Sequence, residues 1–170
     1  MFNYALKKQP FSLNLSAIVM TILGFWLSAS FLLDFVIIPV LSMTGMMADS
    51  GFISTGYVLF EVFNRLEVVC AAGILTIFFG FKFEHLFGDR QALNALVIAS
   101  ILLNIALLYT YLITPQLAGF GLEMSGFNGT ATMPLQMSVW HSLYWVLEAA
   151  KFVFGITLLR WCYRRACAIA

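Results

Sequence analysis

One apolar stretch that contains charged side chains does most to limit what this chain can fold into. It runs from Phe60 to Phe83, FEVFNRLEVVCAAGILTIFFGFKF, and carries Asn64, Arg65 and Glu67 near its beginning. A helix needs about 20 apolar residues to cross a bilayer, and this stretch is long enough. A charged side chain at the centre of a spanning helix costs roughly 2.5–3.5 kcal/mol or more. We therefore expect these side chains to face other helices and not lipid.

The composition extends this prediction to the whole chain. Hydrophobic residues make up 62% and charged residues 10% of the 170 residues, and the mean hydropathy is +0.94. These values are typical of integral membrane proteins. At about 20 residues per crossing the length accommodates four spans, which we predict at about residues 13–40, 58–83, 92–114 and 138–159. The predicted fold is all-α: one transmembrane domain, 1–170, that forms a four-helix bundle from two helical hairpins.

The basic residues indicate how the bundle is oriented. Seven of the nine Lys and Arg residues lie at or beyond the ends of the predicted spans, and all seven fall on the same side. They are Lys7, Lys8, Lys82, Arg90, Arg160, Arg164 and Arg165. The loops on the opposite side, 41–57 and 116–137, contain neither Lys nor Arg. The positive-inside rule therefore predicts that both termini and the middle loop lie in the cytoplasm.

The two halves of the chain resemble each other. Residues 31–39 align with residues 107–115, and Glu67 aligns with Glu148; small residues and a glycine follow each glutamate. A duplicated hairpin would explain the match, but apolar spans also resemble one another by chance. Both explanations remain open. Pro39 and Pro115, at the ends of the aligned segments, are expected to end spans one and three.

The polar side chains of each span share one helical face at 100° per residue, which predicts an internal polar network. Its expected members are Asp34, Glu61, Asn64, Arg65, Glu67, Asn104, Tyr111, His141, Glu148 and Lys151. The network contains four carboxylates and two cations, so two negative charges remain for protons or a bound cation to neutralise. A proton relay, a cation site and an inert hydrogen-bonded network all fit the pattern, and we favour the inert network.

Two ion pairs are expected within this network. Arg65 has Glu61 one turn earlier and Asp34 across the bundle as candidate partners, and Lys151 has Glu148. If Arg65 and Lys151 are both paired in this way, Glu67 has no cation. Glu67 is then the best single candidate for a titrating group.

Methionine and histidine supply weaker candidate ligands. Met43, Met46 and Met47 form an M-x-x-M-M pattern in the first outward loop, and His141 is expected at the same rim, so a soft metal such as Cu(I) is conceivable. Packing of the loops is the favoured explanation for these methionines. His85 and His141 could each ligate a haem or chlorophyll, but they are expected on opposite sides. We predict no metal and no cofactor.

The sequence contains no nucleophile elbow, phosphate loop, zinc-ligand spacing or dinucleotide fingerprint. No catalytic residue is therefore predicted, and the chain is not expected to be an enzyme. The expected partners are membrane lipids and either another membrane protein or further copies of this chain. No nucleic-acid partner is predicted.

Four features of the sequence match the pattern of a known family: GFWLSASFLLDFVIIP of span one, F-x-x-F-N-R-L-E at Phe60–Glu67, Pro115, and HSLYWVLEAAK at His141–Lys151. With these features the chain resembles a small four-span membrane family of unknown function that includes vertebrate transmembrane protein 205 and many bacterial relatives. Family members from oxygenic photosynthetic bacteria look most similar in two segments, GMMADSGFISTGY and VFNRLEVVCAA. The resemblance implies a bacterial inner-membrane or thylakoid location. The family's implied roles, in metal-drug tolerance or vesicle traffic, do not transfer to particular residues.

These observations favour a non-enzymatic accessory or assembly subunit that docks on a larger membrane complex, which the resemblance suggests is photosynthetic. One alternative is a small transporter or a proton- or cation-handling protein that uses Asp34, Glu67 and Glu148. Another is a protein for tolerance of a soft metal such as copper.

Overall fold

The computed structural model describes residues 2–44, 50–83, 89–119 and 135–169, which form four long helices. We number these α1 to α4. Helix α1 comprises Phe2–Phe31, a π-helical segment Leu32–Ile37 and Ile38–Met43. Helix α2 is Ser50–Phe83, and α4 is Leu135–Ile169. Helix α3 comprises Asp89–Leu108, a π-helical segment Tyr109–Ile113 and helical residues 114–119.

Each helix contains a stretch that is long and apolar enough to cross a membrane. The stretches are Leu15–Leu41, Thr55–Phe83, Arg90–Gly119 and Leu135–Arg164. The four predicted spans correspond to these four helices. The all-helical, four-helix part of the predicted fold is therefore confirmed, and the helices continue beyond the predicted spans at most of their ends.

Neither proline ends its helix, so the expectation for Pro39 and Pro115 was wrong. A proline inside a helix lacks an N–H, and its ring crowds the carbonyl group four residues earlier. Those carbonyls belong to Phe35 and Tyr111, and each lies within a π-helical segment. A π turn is wider than an α turn, and we attribute the continuation of both helices past the prolines to this extra width.

The two ends of the bundle differ in polarity. We call one the distal end: α1 and α3 end there, and α2 and α4 begin there. The opposite end, the basic end, exposes Lys82, Arg90, Arg160 and Arg164. The half of the bundle next to the basic end has an apolar core to which all four helices contribute. Its fully buried side chains include Val19, Leu23, Ile74, Phe78, Phe81, Ala95, Ala99 and Leu158.

Small side chains allow the helices of this core to approach each other closely. Helix α2 packs most extensively against α3, and α1 packs most extensively against α4. At the α1–α4 contact Gly155 faces Leu27, and a Cβ atom added at Gly155 would lie 2.9 Å from Leu27 Cδ2. This packing fixes which faces of the helices meet, and it brings the polar side chains of the distal half together.

Candidate functional site: a buried carboxylate cluster

The distal half of the bundle buries three carboxyl groups and one ammonium group. Asp34 is 4% exposed, and Glu67, Glu148 and Lys151 are each 1% exposed. We call these four residues the carboxylate cluster. Helix α1 contributes Asp34, α2 contributes Glu67, and α4 contributes Glu148 and Lys151, which are one turn apart. Ionisable groups are this deeply buried only when they are paired or serve a function.

Lys151 lies between two of the carboxyl groups. Its Nζ atom is 2.6 Å from Glu67 Oε1 and 2.8 Å from Glu148 Oε2. The same nitrogen lies 5.4 Å from the centre of the Tyr109 ring. The ammonium group thus links α4 to α2 and occupies the position that a bound cation would otherwise take.

Glu67 receives two further hydrogen bonds from α1. Trp26 Nε1 donates to Glu67 Oε1 at 2.9 Å, and the Ser30 hydroxyl donates to the same oxygen at 3.1 Å. With Lys151, this one oxygen accepts three hydrogen bonds. Helices α1, α2 and α4 are therefore joined at this one oxygen.

Two tyrosines connect the other carboxyl groups. Tyr144 donates from its hydroxyl to Asp34 Oδ1 at 2.5 Å, and the Tyr109 hydroxyl lies 3.1 Å from Glu148 Oε2. The carboxyl groups of Asp34 and Glu148 are themselves within hydrogen-bonding reach of each other. The π-helical segments supply Asp34 and Tyr109. The result is a polar chain from Asp34, near the distal end, to Lys151, deeper in the bundle.

One oxygen of each carboxyl group has no hydrogen-bond donor among the described residues. These atoms are Asp34 Oδ2, Glu67 Oε2 and Glu148 Oε1, and all three are buried. If every group in the cluster were ionised, three carboxylates and one ammonium would give a net charge of −2. Leaving a buried acceptor unsatisfied costs about 1–3 kcal/mol, and more when it is charged. A proton on a carboxyl group removes its charge and provides a donor.

The chemistry of the cluster fits protons better than a metal ion. Within the described part of the chain, no group of three His, Cys, Asp or Glu side chains is arranged to hold a metal. The Lys151 ammonium group already contacts two of the three carboxyl groups. Two protons would make the cluster neutral, and Asp34 and Glu148 are close enough to share one of them.

The structure brings together four of the ten residues expected in the network: Asp34, Glu67, Glu148 and Lys151. Asn64 is buried but lies apart from the cluster, and its Nδ2 donates to Thr114 Oγ1 at 2.6 Å. The remaining five expected residues lie outside the cluster: Glu61, Arg65, Asn104, Tyr111 and His141. Four of these five side chains are exposed, and Glu61 is partly exposed.

These five side chains satisfy their polar groups locally or at the surface. Arg65 pairs with Glu61 on the outside of α2. The Asn104 amide donates to the carbonyl of Ser100 in its own helix at 2.8 Å. Tyr111 is 72% exposed. Periodicity gives the angle between residues of one helix, but it does not give the rotation of that helix in the bundle.

The ion pairs were predicted correctly in part. Arg65 pairs with Glu61, and Lys151 pairs with Glu148, as expected. Lys151 also pairs with Glu67, however, so the expectation that Glu67 has no cation was wrong. Asp34 is the buried carboxyl group that no Lys or Arg side chain contacts in the described part of the structure. The long Lys151 side chain reaches two helices at once, and no spacing within one helix shows this.

Sequence reasoning left four contributing residues out of the network: Trp26, Ser30, Tyr109 and Tyr144. A signal existed for three of them. Trp26, Ser30 and Asp34 follow one another at four-residue intervals, which places them on one face of α1, and Tyr144 lies four residues before Glu148 on α4. Tyr109 gave no comparable signal, since aromatic residues are common in membrane spans.

Of the other candidate ligands, Met43 and His141 are exposed, whereas Met46, Met47 and His85 lie outside the described residues. Cys70 is partly buried and Cys162 is buried, and neither forms a disulfide bond within the described residues. Comparison of the chain with known protein families, with curated proteins and with solved structures found no match in any of the three.

Proposed function

We propose that this chain is an integral membrane protein that crosses a bacterial inner or thylakoid membrane four times, with both termini in the cytoplasm. The exposed cations at the basic end support this orientation. The hydrocarbon layer is about 30 Å thick, which corresponds to about 20 helical residues. Counting about 20 residues towards the distal end from Leu15, Lys82, Arg90 and Arg160 reaches Asp34, Glu61, Thr110 and Trp140, respectively. These positions would mark the outer boundary of the hydrocarbon layer.

Within this membrane protein, we propose that the carboxylate cluster binds and releases protons, and that the chain works as a small proton-handling protein that carries protons across the membrane. One observation carries this proposal: three carboxyl groups, each with a buried oxygen that has no partner among the described residues, lie together with a single ammonium group that pairs with two of them. An inert structural network would be expected to satisfy its acceptors. Unsatisfied acceptors in a cluster that has three carboxyl groups and one ammonium group favour proton binding.

The surroundings of the cluster favour exchange with the outer side. Asp34 and Tyr144 lie nearest the distal end. The buried apolar side chains of Leu23, Ile74 and Leu158 lie between the cluster and the basic end. Protons would reach Asp34 from the outer side. Their delivery to the cytoplasm would require the helices to move, as in alternating access.

Reconstituted liposomes with a trapped pH indicator test this function. When the pH outside is lowered, protons that enter through the protein should acidify the interior. Potassium ions that leave through valinomycin balance the charge. Asp34→Asn and Glu148→Gln should each abolish this acidification. Glu61→Gln is the matched control, because it removes a carboxylate outside the cluster and should preserve the flux.

A second measurement does not depend on turnover. Infrared spectra should contain the C=O band of a protonated carboxyl group, and Asp34→Asn or Glu148→Gln should weaken it. The proposal would be overturned if liposomes with the wild-type protein acidified no faster than protein-free liposomes and the infrared spectrum lacked this band. Cleavage of a C-terminal tag in spheroplasts, without permeabilisation, would contradict the proposed orientation.

A second candidate function is docking as an accessory or assembly subunit. Asn104 favours it, because this amide is exposed in the middle of the apolar stretch of α3. A polar side chain at that depth is more stable against another helix than against lipid. A partner helix, or a second copy of this chain, would cover Asn104.

A further inference from the structure

A cavity separate from the carboxylate cluster lies between α2 and α3 at the distal end. Its volume is about 400 Å³, which is within the roughly 300–1,000 Å³ range of small-molecule sites. Tyr57, Glu61 and Arg65 line it from α2, and Thr110, Tyr111 and Thr114 line it from α3. Three of these residues belong to or directly follow the π-helical turn of α3.

An ion pair lies at this cavity, and both of its side chains remain accessible. The Arg65 side chain is 69% exposed and the Glu61 side chain is 34% exposed. Arg65 contacts Glu61 through one terminal nitrogen, Nη2. A guanidinium group has five N–H donors, so most of them remain for a ligand. Thr114 accepts a hydrogen bond from Asn64, which leaves its own hydroxyl hydrogen for the cavity.

The charges of the cavity select the class of ligand. A simple anion would be repelled by Glu61, and a simple cation would be repelled by Arg65. A molecule that carries both charges meets a complementary partner for each. The exposed rings of Tyr57 and Tyr111 are typical of the boundary between hydrocarbon and lipid headgroups. In the orientation proposed above, the cavity lies at the headgroups of the outer leaflet.

We infer that this cavity binds a phosphoethanolamine headgroup, with the phosphate on Arg65 and the primary ammonium on Glu61. The ligand class is a phosphate ester joined to an amine, as in phosphatidylethanolamine. Bidentate binding of phosphate is the geometry that an arginine side chain favours. The inference rests on the proposed membrane orientation but not on proton binding.

Native mass spectrometry of the purified protein tests this inference. The protein is equilibrated with equal amounts of phosphatidylethanolamine and phosphatidylglycerol that have the same acyl chains. The wild type should retain phosphatidylethanolamine preferentially. Arg65→Gln and Glu61→Gln should each reduce this preference about tenfold, the effect of losing one charge-assisted hydrogen bond. Arg160→Gln, which removes an exposed arginine at the basic end, should retain the preference.

Competition with soluble phosphoethanolamine distinguishes recognition of the headgroup alone from recognition of the whole lipid. Displacement of the lipid by the soluble compound would show that the headgroup alone is recognised. Retention of the lipid in its presence would show that the acyl chains contribute as well, and either result supports the site. Equal retention of both lipids by the wild type, or an unchanged preference in Arg65→Gln, would overturn it.

The Glu61→Gln variant separates this inference from the proposed function. It should lose the lipid preference and keep the proton flux, because Glu61 lines the cavity and lies outside the carboxylate cluster. Loss of both properties would contradict the independence of the two sites. Because the Arg65 side chain is exposed, Arg65→Gln should unfold at the wild-type temperature, which excludes misfolding as the cause of weaker binding.

Discussion

At the residue scale, Lys151 decides whether the carboxylate cluster is compatible with a folded bundle. It is the one ammonium group in contact with the cluster among the described residues, and it pairs with Glu67 and Glu148. A buried ion pair contributes little net stability relative to apolar residues, but removal of one partner leaves a charge without compensation. The identity of this single side chain therefore affects two carboxyl groups on two helices.

We expect Lys151→Met to lower the free energy of unfolding by about 3–5 kcal/mol at neutral pH. The loss should shrink as the pH falls, because protonation neutralises the carboxylates that Lys151 no longer pairs. Adding Glu67→Gln should restore part of the stability, since the double variant removes both members of one pair. Thermal unfolding in detergent, followed by circular dichroism, measures each effect.

The control is Lys82→Met, which removes an exposed lysine at the basic end of α2. Its unfolding temperature should remain close to that of the wild type. If Lys151→Met were as stable as the wild type, or if its loss did not depend on pH, the ammonium group would not be compensating the carboxylates.

At the element scale, the two halves of the chain share a helical geometry that the alignment of residues 31–39 with residues 107–115 only suggested. The π-helical segments Leu32–Ile37 and Tyr109–Ile113 lie at matching positions of the aligned segments, and each precedes a proline. Each widened turn also places a polar side chain, Asp34 or Tyr109, at the cluster. A shared local geometry at the same position favours duplication over chance similarity.

Helix α4 packs closely against α1 at Gly155, and this contact gives a test of the α1–α4 packing. Gly155→Val should lower the free energy of unfolding by about 1–3 kcal/mol, because the added atoms overlap Leu27. Leu27→Ala in the same chain should recover part of the loss by making room. Gly73→Val is the matched control, since a Cβ at Gly73 meets nothing within 4 Å.

Thermal unfolding of the three variants measures the difference. The change from glycine to valine alters helix propensity equally at both positions. Any additional loss of unfolding free energy at Gly155 therefore reports the contact with Leu27. Equal losses at Gly155 and Gly73 would show that α1 and α4 are not in close contact there.

At the scale of the whole molecule, the bundle has a polar distal half and an apolar half next to the basic end. The carboxylate cluster and the cavity between α2 and α3 both belong to the distal half, and they use different faces of α2. Glu67 faces the interior, whereas Glu61 and Arg65 face outward. The exposed Asn104 lies on α3, between the cavity and the basic end. A partner that covers Asn104 could therefore bind without filling the cavity.

We expect Asn104→Leu to weaken association with a membrane partner or a second copy several-fold. The fold should be unaffected, because the hydrogen bond of this amide within the described residues goes to the Ser100 carbonyl of its own helix. Affinity purification from native membranes, followed by quantitative mass spectrometry, measures the association. Asn94→Leu is the control, since this exposed amide lies nearer the basic end. Purification of the wild type as a monomer without a stoichiometric partner would contradict docking.

The sequence by itself determined the number of helices, their apolar character, the side on which the cations lie, and all four ionisable members of the cluster. Hydropathy and charge are properties of each segment alone, so they can be read without neighbours. Only the tertiary structure decided that Lys151 reaches Glu67, that Trp26 and Tyr144 join the cluster, and that Arg65 faces outward. These contacts depend on how each helix is rotated and displaced against the other three, and packing of the whole bundle sets that arrangement.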